Sequence, residues 1–335
     1  MNTGLNPRAL TGQAPAFAGE DSEFSLMPAK AGNCTSKPCR SGQSIPLMNL
    51  SSPAAVSALL KRHDLHPRKR FGQNFLVDGN TLAKIVAAGN LAPGGAALEI
   101  GAGLGVLTSA LADAVTETGR VVTVEVDTDL LPALAETVGE KPQVLVVTAD
   151  AMALDWPAFL DTHFASGAKP SVVANIPYNI TSPLLTTLLE QHGRFAQVVL
   201  LVQKEVAARL GAKAGTPDYG SLSVFVQYHA RVETIGIVSR RVFFPPPDVD
   251  SAIVRLTPFD VPPVDVPSEA HLFAIVRAAF GQRRKALLNA LSGDPSLGWD
   301  REQAAGALLA AGIDGGRRGE TLTLAEFALL AQVPV

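Results

Sequence analysis

The sequence predicts a doubly wound α/β domain followed by a small all-α domain. From about residue 80, valine-rich segments of strand length alternate with segments of helical spacing. The strand segments are hydrophobic almost throughout, as in a parallel sheet that is covered by helices on both faces. From residue 268 onward, apolar residues recur at helical spacing only. The patterns divide the chain into a disordered leader (1–47), an α/β domain (48–258), a linker (259–267) and a helical domain (268–335).

The order of the elements follows from local signals. A helix over 52–62 is predicted first, with Ser51 or Ser52 as its N-cap. The two later β-rich stretches, 232–238 and 252–256, are predicted to pair as an antiparallel hairpin at the sheet edge. The strands of the parallel sheet are predicted at 97–100, 120–125, 143–148, 171–175 and 197–202.

The charge of the chain limits how it can bind nucleic acid. Its net charge of −3 over 335 residues lacks the positive excess of many nucleic-acid-binding proteins, so any such contact must be local. Basic clusters are more often solvated surface than binding sites. The candidate RNA-binding residues are Arg68, Lys69, Arg70, Arg283, Arg284 and Lys285.

Other classes of protein are excluded by composition. No apolar run approaches the roughly 20 residues of a membrane span, and the N-terminus lacks a signal-peptide pattern, so we expect a cytoplasmic protein without a membrane partner. Cys34 and Cys39 both lie in the leader. We therefore expect no disulfide, no zinc finger and no bound metal in the folded part.

A glycine-rich motif follows the first strand of the sheet. The segment Glu99-Ile-Gly101-Ala-Gly103-Leu-Gly105 precedes a helix that begins near Val106. Glycines allow a sharp turn and the close approach of a nucleoside ligand. Taken alone, this motif is also compatible with a simple strand-to-helix turn.

Two acidic residues add to this motif, since each is predicted at the carboxyl end of a strand. Glu125 is suited to accept hydrogen bonds from both ribose hydroxyls, and Asp150 from an adenine amine. Either residue alone is compatible with a solvated carboxylate. Together with the glycine motif, they favour S-adenosyl-L-methionine as the cofactor.

The motif Asn175-Ile176-Pro177-Tyr178 ends the fourth strand and indicates methylation of adenine N6. The lone pair of this amine is delocalised into the ring. The Asn175 side-chain oxygen and the carbonyl of Ile176 or Pro177 would hold its two N–H groups, and Tyr178 would stack on the base. Phe243 offers a second aromatic wall, although Phe243 or Phe244 could equally belong to the core.

These residues and their surroundings resemble the small-subunit rRNA adenine dimethyltransferases, which include the kasugamycin-susceptibility methyltransferase of bacteria. The resemblance covers residues 50–330, and Asp248 departs from it where a basic residue is frequent. The segments that carry it are KRFGQNFL (69–76), EIGAGLGVLT (99–108), VEVD (124–127), DAM (150–152), NIPYNITSPLL (175–185), LVQKEVAARL (201–210), YGSLSV (219–224), FFPPPDVDSAIVRL (243–256) and FGQRRKALLNAL (280–291).

The resemblance implies a function and assigns residues to it. It implies a Rossmann-like methyltransferase, a monomer, that dimethylates two adjacent adenosines near the 3′ end of 16S rRNA in an assembling 30S-type particle. It assigns the NIPY motif and Phe243 to the target adenine, and the GQNFL segment to a lid over the cofactor. The residues that it places at the cofactor are Asn74, Leu76, Gly101, Glu125, Asp150 and Asn175; Gly103 joins them from the glycine motif.

Two alternatives remain open at this point. The large-subunit rRNA adenine methyltransferases that confer macrolide resistance share the NIPY chemistry. A non-catalytic RNA-binding assembly or transcription factor could retain the same fold.

Overall fold

The computed structural model describes residue 50 and residues 52–68, 71–282 and 284–334. The predicted leader and the basic residues Lys69, Arg70 and Arg283 lie outside these ranges. Among the described residues, no helix combines the length and the apolar character that crossing a bilayer requires.

A seven-stranded sheet forms the centre of the fold, with the strand order β4-β3-β2-β5-β6-β9-β7. The strands of the described chain are β1 (Phe75–Leu76), β2 (Ala96–Ile100), β3 (Arg120–Glu125), β4 (Val144–Thr148), β5 (Ser171–Ala174), β6 (Gln197–Gln203), β7 (Ala230–Val238), β8 (Phe243–Phe244) and β9 (Ser251–Pro258). Strands β2 to β6 pair in parallel, whereas β9 runs antiparallel to β6 and β7. The predicted fold class and the hairpin at the sheet edge are confirmed.

The helices cover both faces of this sheet. Leu98 and Ile100 of β2 belong to one buried hydrophobic cluster, whereas Ala97 of the same strand belongs to another. The described helices are α1 (Pro53–Arg62), α2 (Gly79–Ala88), α3 (Val106–Val115), α4 (Leu131–Val138), α5 (Trp156–His163), α6 (Thr181–Leu189), α7 (Lys204–Leu210), α8 (Ser221–His229), α9 (Glu269–Gly281), α10 (Leu287–Leu291), α11 (Arg301–Ala310) and α12 (Leu324–Ala331). Helix α1 is capped as predicted, because the Ser52 hydroxyl oxygen accepts from the N–H of Ala55 at 3.2 Å.

The strand order determines where a ligand can bind. Strand β2 lies between β3 and β5, so the chain crosses to opposite sides of β2 in the two halves of the sheet. In doubly wound sheets, such a switch point opens a crevice at the carboxyl ends of the strands. The loops that follow β2, β3, β4 and β5 therefore surround one crevice.

The C-terminal helices α9 to α12 pack around a further cluster that includes Leu272, Phe327 and Leu330. The described residues between β9 and α9 contain no helix or strand. Tyr219 and Tyr228, which precede the predicted linker, belong to the same cluster. The α/β and helical parts thus share buried contacts, and their division into two domains stays a prediction.

Candidate active site

A cleft opens at the carboxyl ends of β2, β3, β4 and β5, where the segment around β1 forms a further wall. The fold gathers residues from distant segments here because parallel strands end at the same edge of the sheet. The sequence-predicted residues that line the cleft are Asn74, Leu76, Gly101, Gly103, Glu125, Asp150, Asn175, Ile176, Pro177 and Tyr178.

The glycine loop forms the floor of the cleft between β2 and α3. Gly101, Gly103 and Gly105 have φ angles of 82°, 57° and 80°, which residues with a side chain rarely adopt. A Cβ atom at Gly105 would also lie 2.8 Å from the Leu134 side chain. The backbone therefore turns here in a way that depends on glycine.

Glu125 is the last residue of β3 and is only 5% exposed. Its carboxylate accepts from the N–H of Gly103 at 2.7 Å and from the N–H of Asp127 at 2.8 Å. Burial raises the pKa of this carboxyl, and the backbone hydrogen bonds oppose the shift. Each carboxylate oxygen can accept a second bond, so the carboxylate is oriented and can still accept from a ligand hydroxyl.

Asp150 lies two residues beyond the end of β4, which stops at Thr148 as its predicted bounds of 143–148 require. It is exposed on the cleft wall, and its Oδ1 accepts from the N–H of Met152 at 2.9 Å. A turn, rather than the strand itself, thus presents this carboxylate.

Asn175 directly follows β5. Its amide Nδ2 donates to the Asn74 carbonyl at 3.1 Å. Because a carbonyl can only accept, this bond determines which end of the Asn175 amide faces which way, and it leaves Oδ1 as an acceptor at the cleft. The Asn74 amide in turn donates to the Gly72 carbonyl at 3.0 Å, so the segment before β1 supports the asparagine after β5.

The rest of the tetrapeptide is held by different contacts. The Ile176 side chain is buried, and the Pro177 carbonyl accepts from the N–H of Ile180 at 3.2 Å. Tyr178 is half-buried, and its hydroxyl forms a hydrogen bond of 2.7 Å with the Ser251 hydroxyl. Burial raises the pKa of the Tyr178 phenol, so it stays protonated at neutral pH.

Phe243 does not reach the cleft. Its side chain is 3% exposed and packs in the hydrophobic cluster that includes Leu107 and Ile85. It pairs with Leu76 across the small β1–β8 sheet, and Phe244 beside it is half-buried. A base-stacking role needs an accessible ring face, so this placement disagrees with the predicted second aromatic wall.

Arg68 is engaged within the chain. Its guanidinium donates to Asp127 at 3.0 Å and forms an ion pair with Asp129. Gln73 also donates to Asp127, at 2.7 Å. An RNA phosphate would compete with these two carboxylates for Arg68, so its position favours anchoring the segment before β1 instead. Of the other predicted basic residues that the structure describes, Arg284 and Lys285 are exposed.

Comparisons with known proteins agree with this geometry. The family model described as "Ribosomal RNA adenine dimethylase" matches residues 65–328. The chain belongs to the ribosomal RNA adenine dimethylase family.

Relatives named ribosomal RNA small subunit methyltransferase A are close in sequence. The protein from Pelotomaculum thermopropionicum is 47% identical over 287 residues, which are 84% of this chain and 96% of the relative. The protein from Geobacillus thermodenitrificans is 44% identical, with the same two coverages, 84% and 96%. The resemblance found in the sequence is confirmed.

Two solved structures share the fold over most of their length. A dimethyladenosine transferase from Plasmodium falciparum has a TM-score of 0.60 at 25% identity, covering 76% of this chain and 95% of that chain. The 23S rRNA methyltransferase ErmE has a TM-score of 0.57 at 28% identity, covering 77% and 98%. The higher identity of the small-subunit relatives does not favour the macrolide-resistance alternative.

As a ribosomal RNA adenine dimethylase, the chain is an enzyme that methylates adenine in small-subunit rRNA with S-adenosyl-L-methionine. The cleft fits this cofactor. Gly101 and Gly103 keep its floor free of side chains, and the buried Glu125 carboxylate has acceptor capacity for a ribose diol.

Glu99 also lines this cleft, although no function was predicted for its side chain from the sequence. Its carboxyl is 1% exposed, and the hydroxyls of Thr108 and Thr123 donate to it at 2.5 and 2.9 Å. Burial raises its pKa to about 8, so the group is largely neutral at neutral pH. The two threonines are visible in the sequence, but nothing in the sequence shows that both hydroxyls meet the same carboxyl. Only the fold reveals this contact.

Proposed function

We propose that the chain dimethylates the N6 amines of two adjacent adenosines near the 3′ end of 16S rRNA, late in the assembly of a 30S-type particle. We further propose that it acts as a cytoplasmic monomer. The observation that carries the catalytic part is the Asn175 side chain, which the Asn74 carbonyl orients with its oxygen as an acceptor beside the glycine loop.

The proposed chemistry depends on positioning and on acceptors for a developing charge. S-adenosyl-L-methionine, when bound at the glycine loop and Glu125, would supply the methyl group from its sulfonium, whose methyl–sulfur bond breaks to leave a neutral thioether. Asn175 Oδ1 accepts one N–H of the target amine, which withdraws the nitrogen lone pair from the ring and favours a tetrahedral nitrogen.

The second acceptor is the Ile176 carbonyl. The Pro177 carbonyl already accepts a hydrogen bond from the N–H of Ile180. The Ile176 carbonyl lies before this turn and does not take part in its hydrogen bond. Pro177 also restricts the backbone at this point, which holds the two acceptors in a constant relation.

Tyr178 provides a surface for the adenine ring and does not act as a base. Its hydroxyl is bonded to Ser251, and its raised pKa keeps it protonated. After transfer, the new ammonium is acidic, so its proton leaves to water. A monomethylated amine then has one N–H left for these acceptors, and the second transfer requires space for the first methyl.

RNA binding is proposed for the exposed basic residues Arg284 and Lys285, together with Lys69, Arg70 and Arg283. Positive side chains contribute a salt-dependent attraction to phosphates. Because Arg68 pairs with Asp127 and Asp129, we assign it to anchoring the lid segment rather than to RNA.

Primer-extension mapping of small-subunit rRNA tests the proposal. A strain that lacks the gene is expected to lose both dimethyladenosines near the 3′ end. The full chain is expected to restore them, whereas the Asn175→Ala variant is not. Dimethyladenosines that persist at these positions in the deletion strain would refute the proposal.

A further inference from the structure

His192, His229 and Glu269 meet on the far side of the sheet from the glycine loop's helix, where three segments converge. His192 lies in the turn after α6, His229 is the last residue of α8, and Glu269 is the first residue of α9. Their potential ligand atoms all lie within 4.8 Å of one another.

The contacts of the two ring nitrogens of His229 indicate which of them carries a hydrogen. Its Nδ1 lies 2.8 Å from the Phe225 carbonyl oxygen, which can only accept, so Nδ1 carries a hydrogen. In a neutral imidazole, Nε2 then has a lone pair and no hydrogen. This Nε2 faces a Glu269 carboxylate oxygen at 3.1 Å. Two acceptors at that distance require a cation between them, either a proton or a metal ion.

The third group favours a metal ion. His192 Nε2 lies 3.8 Å from the other Glu269 oxygen. In a tetrahedral zinc site with bonds of about 2.0–2.1 Å, neighbouring ligand atoms are about 3.3 Å apart. His229 faces one Glu269 oxygen at 3.1 Å and His192 faces the other at 3.8 Å, while all three ligand atoms lie within 4.8 Å of one another, so small side-chain shifts bring them to this spacing.

The surroundings suit an ion that is partly shielded from water. The His229 side chain is 3% exposed, and its ring stacks against Phe273 at a centroid distance of 5.7 Å. The Phe225 ring packs at 4.3 Å on the same imidazole. His192 is 59% exposed, so solvent has access to the site from one side.

We propose that His192, His229 and Glu269 bind a zinc ion. Two imidazoles and one carboxylate are a ligand set that zinc accepts, with water as the fourth ligand. The ion would connect the first turn of α9 to the end of α8 and the turn after α6, across the segment 259–267. It lies outside the residues that line the methyl-transfer cleft, and it replaces the sequence-based expectation of no metal.

The ligands are separated too widely in the sequence for a motif to reveal them. His229 and Glu269 are 40 residues apart, in contrast to the short spacings of zinc fingers. The proposal is independent of methyl transfer, since no residue of the cleft takes part.

Metal titration of the full chain tests the site. Chelator-treated protein is titrated with zinc in a calorimeter, and thermal unfolding is followed with and without the metal. His192→Asn removes one ligand; asparagine suits the positive φ of 26° at this position. His66→Asn, at an exposed histidine elsewhere, is the matched control.

We expect one zinc per chain for the wild type and the His66→Asn control, with a higher Tm in the presence of zinc. His192→Asn and Glu269→Gln are expected to weaken binding at least tenfold and to abolish the rise in Tm. Cobalt in place of zinc is expected to give the absorption of a four-coordinate nitrogen and oxygen site.

Three results would overturn the proposal. Absence of stoichiometric binding would show that an imidazolium–carboxylate pair alone explains the geometry. Equal affinity in the wild type and His192→Asn would remove these residues as ligands. A thiolate-to-cobalt charge-transfer band would place the ion on Cys34 and Cys39 instead.

Discussion

The two halves of the cleft are built in different ways. On the donor side, the glycine loop is joined to the end of the adjacent strand β3. The N–H of Gly101 donates to the Val124 carbonyl at 2.8 Å, and the N–H of Gly103 donates to the Glu125 carboxylate at 2.7 Å. On the adenine side, Asn175 and Tyr178 depend on partners 101 and 73 residues away, Asn74 and Ser251. The donor side therefore follows from local motifs, whereas the adenine side requires the whole fold to be in place.

The largest effect is expected on the donor side, from Gly105→Ala. The left-handed backbone costs about 1–2 kcal/mol, and overlap of the new methyl with Leu134 adds about 1–3 kcal/mol. The free energy of unfolding, from urea titration, should fall by that sum. Gly167→Ala is the control, since φ is 78° there and no atom lies within 4 Å of the new Cβ. An equal loss in both variants would show that the contact with Leu134 is unimportant.

The next effect is expected on the adenine side, from Tyr178→Ala. Loss of a stacked base costs about 1–3 kcal/mol, which corresponds to a decrease of about fivefold to a hundredfold in kcat/KM. Tyr178→Phe keeps the ring and loses only the hydrogen bond to Ser251, so it should retain most of the activity. Steady-state kinetics on small-subunit particles measure both variants. A Phe variant as poor as the Ala variant would assign the role to the hydroxyl instead of the ring.

Glu125→Gln is expected to weaken cofactor binding about tenfold, because the amide can accept from only one of the two backbone N–H groups and opposes the other. Calorimetric titration with S-adenosyl-L-methionine measures this loss. Turnover at saturating cofactor should change little. A large decrease in kcat with unchanged affinity would contradict the role of Glu125 in holding the donor.

The smallest effect per step of the variable is a pH dependence from Glu99, although it accumulates over several pH units. Its pKa is raised from 4.5 to about 8, so between these values the folded state binds a proton that the unfolded state has lost. The free energy of unfolding then falls as pH rises, by at most about 1.4 kcal/mol per pH unit from this group. Glu99→Gln lacks this titration and should gain stability relative to the wild type from pH 5 to pH 8. The measurement is the free energy of unfolding in urea, plotted against pH for both proteins. If the two plots were parallel from pH 5 to pH 8, Glu99 would be ionised in the folded protein.

Local signals were sufficient for the parallel sheet. Valine-rich runs placed its strands within one residue at each end, because buried parallel strands are continuously hydrophobic. The glycines and Glu125 were predictable for the same reason, since the glycine motif follows the end of β2 and Glu125 is the last residue of β3. Asp150 was placed less accurately, because β4 stops two residues earlier and a turn presents the carboxylate.

Long-range pairing explains what the sequence did not reveal. Phe243 is buried because β8 pairs with β1, an arrangement of two-residue strands without a sequence pattern. Arg68 lies in a basic run but meets Asp127 and Asp129, about 60 residues later in the chain. The contact between His229 and Glu269 has the same origin.

The central claim is that the oriented Asn175 amide is needed for methyl transfer, whereas cofactor affinity depends mainly on other residues of the cleft. Asn175→Ala is compared with Asn80→Ala, an exposed position in α2, by transfer of tritiated methyl to small-subunit particles and by calorimetric cofactor binding. Asn175→Ala should lower transfer by about a hundredfold or more, with cofactor affinity changed by only a small factor, while Asn80→Ala matches the wild type. Near-normal transfer by Asn175→Ala would contradict the claim.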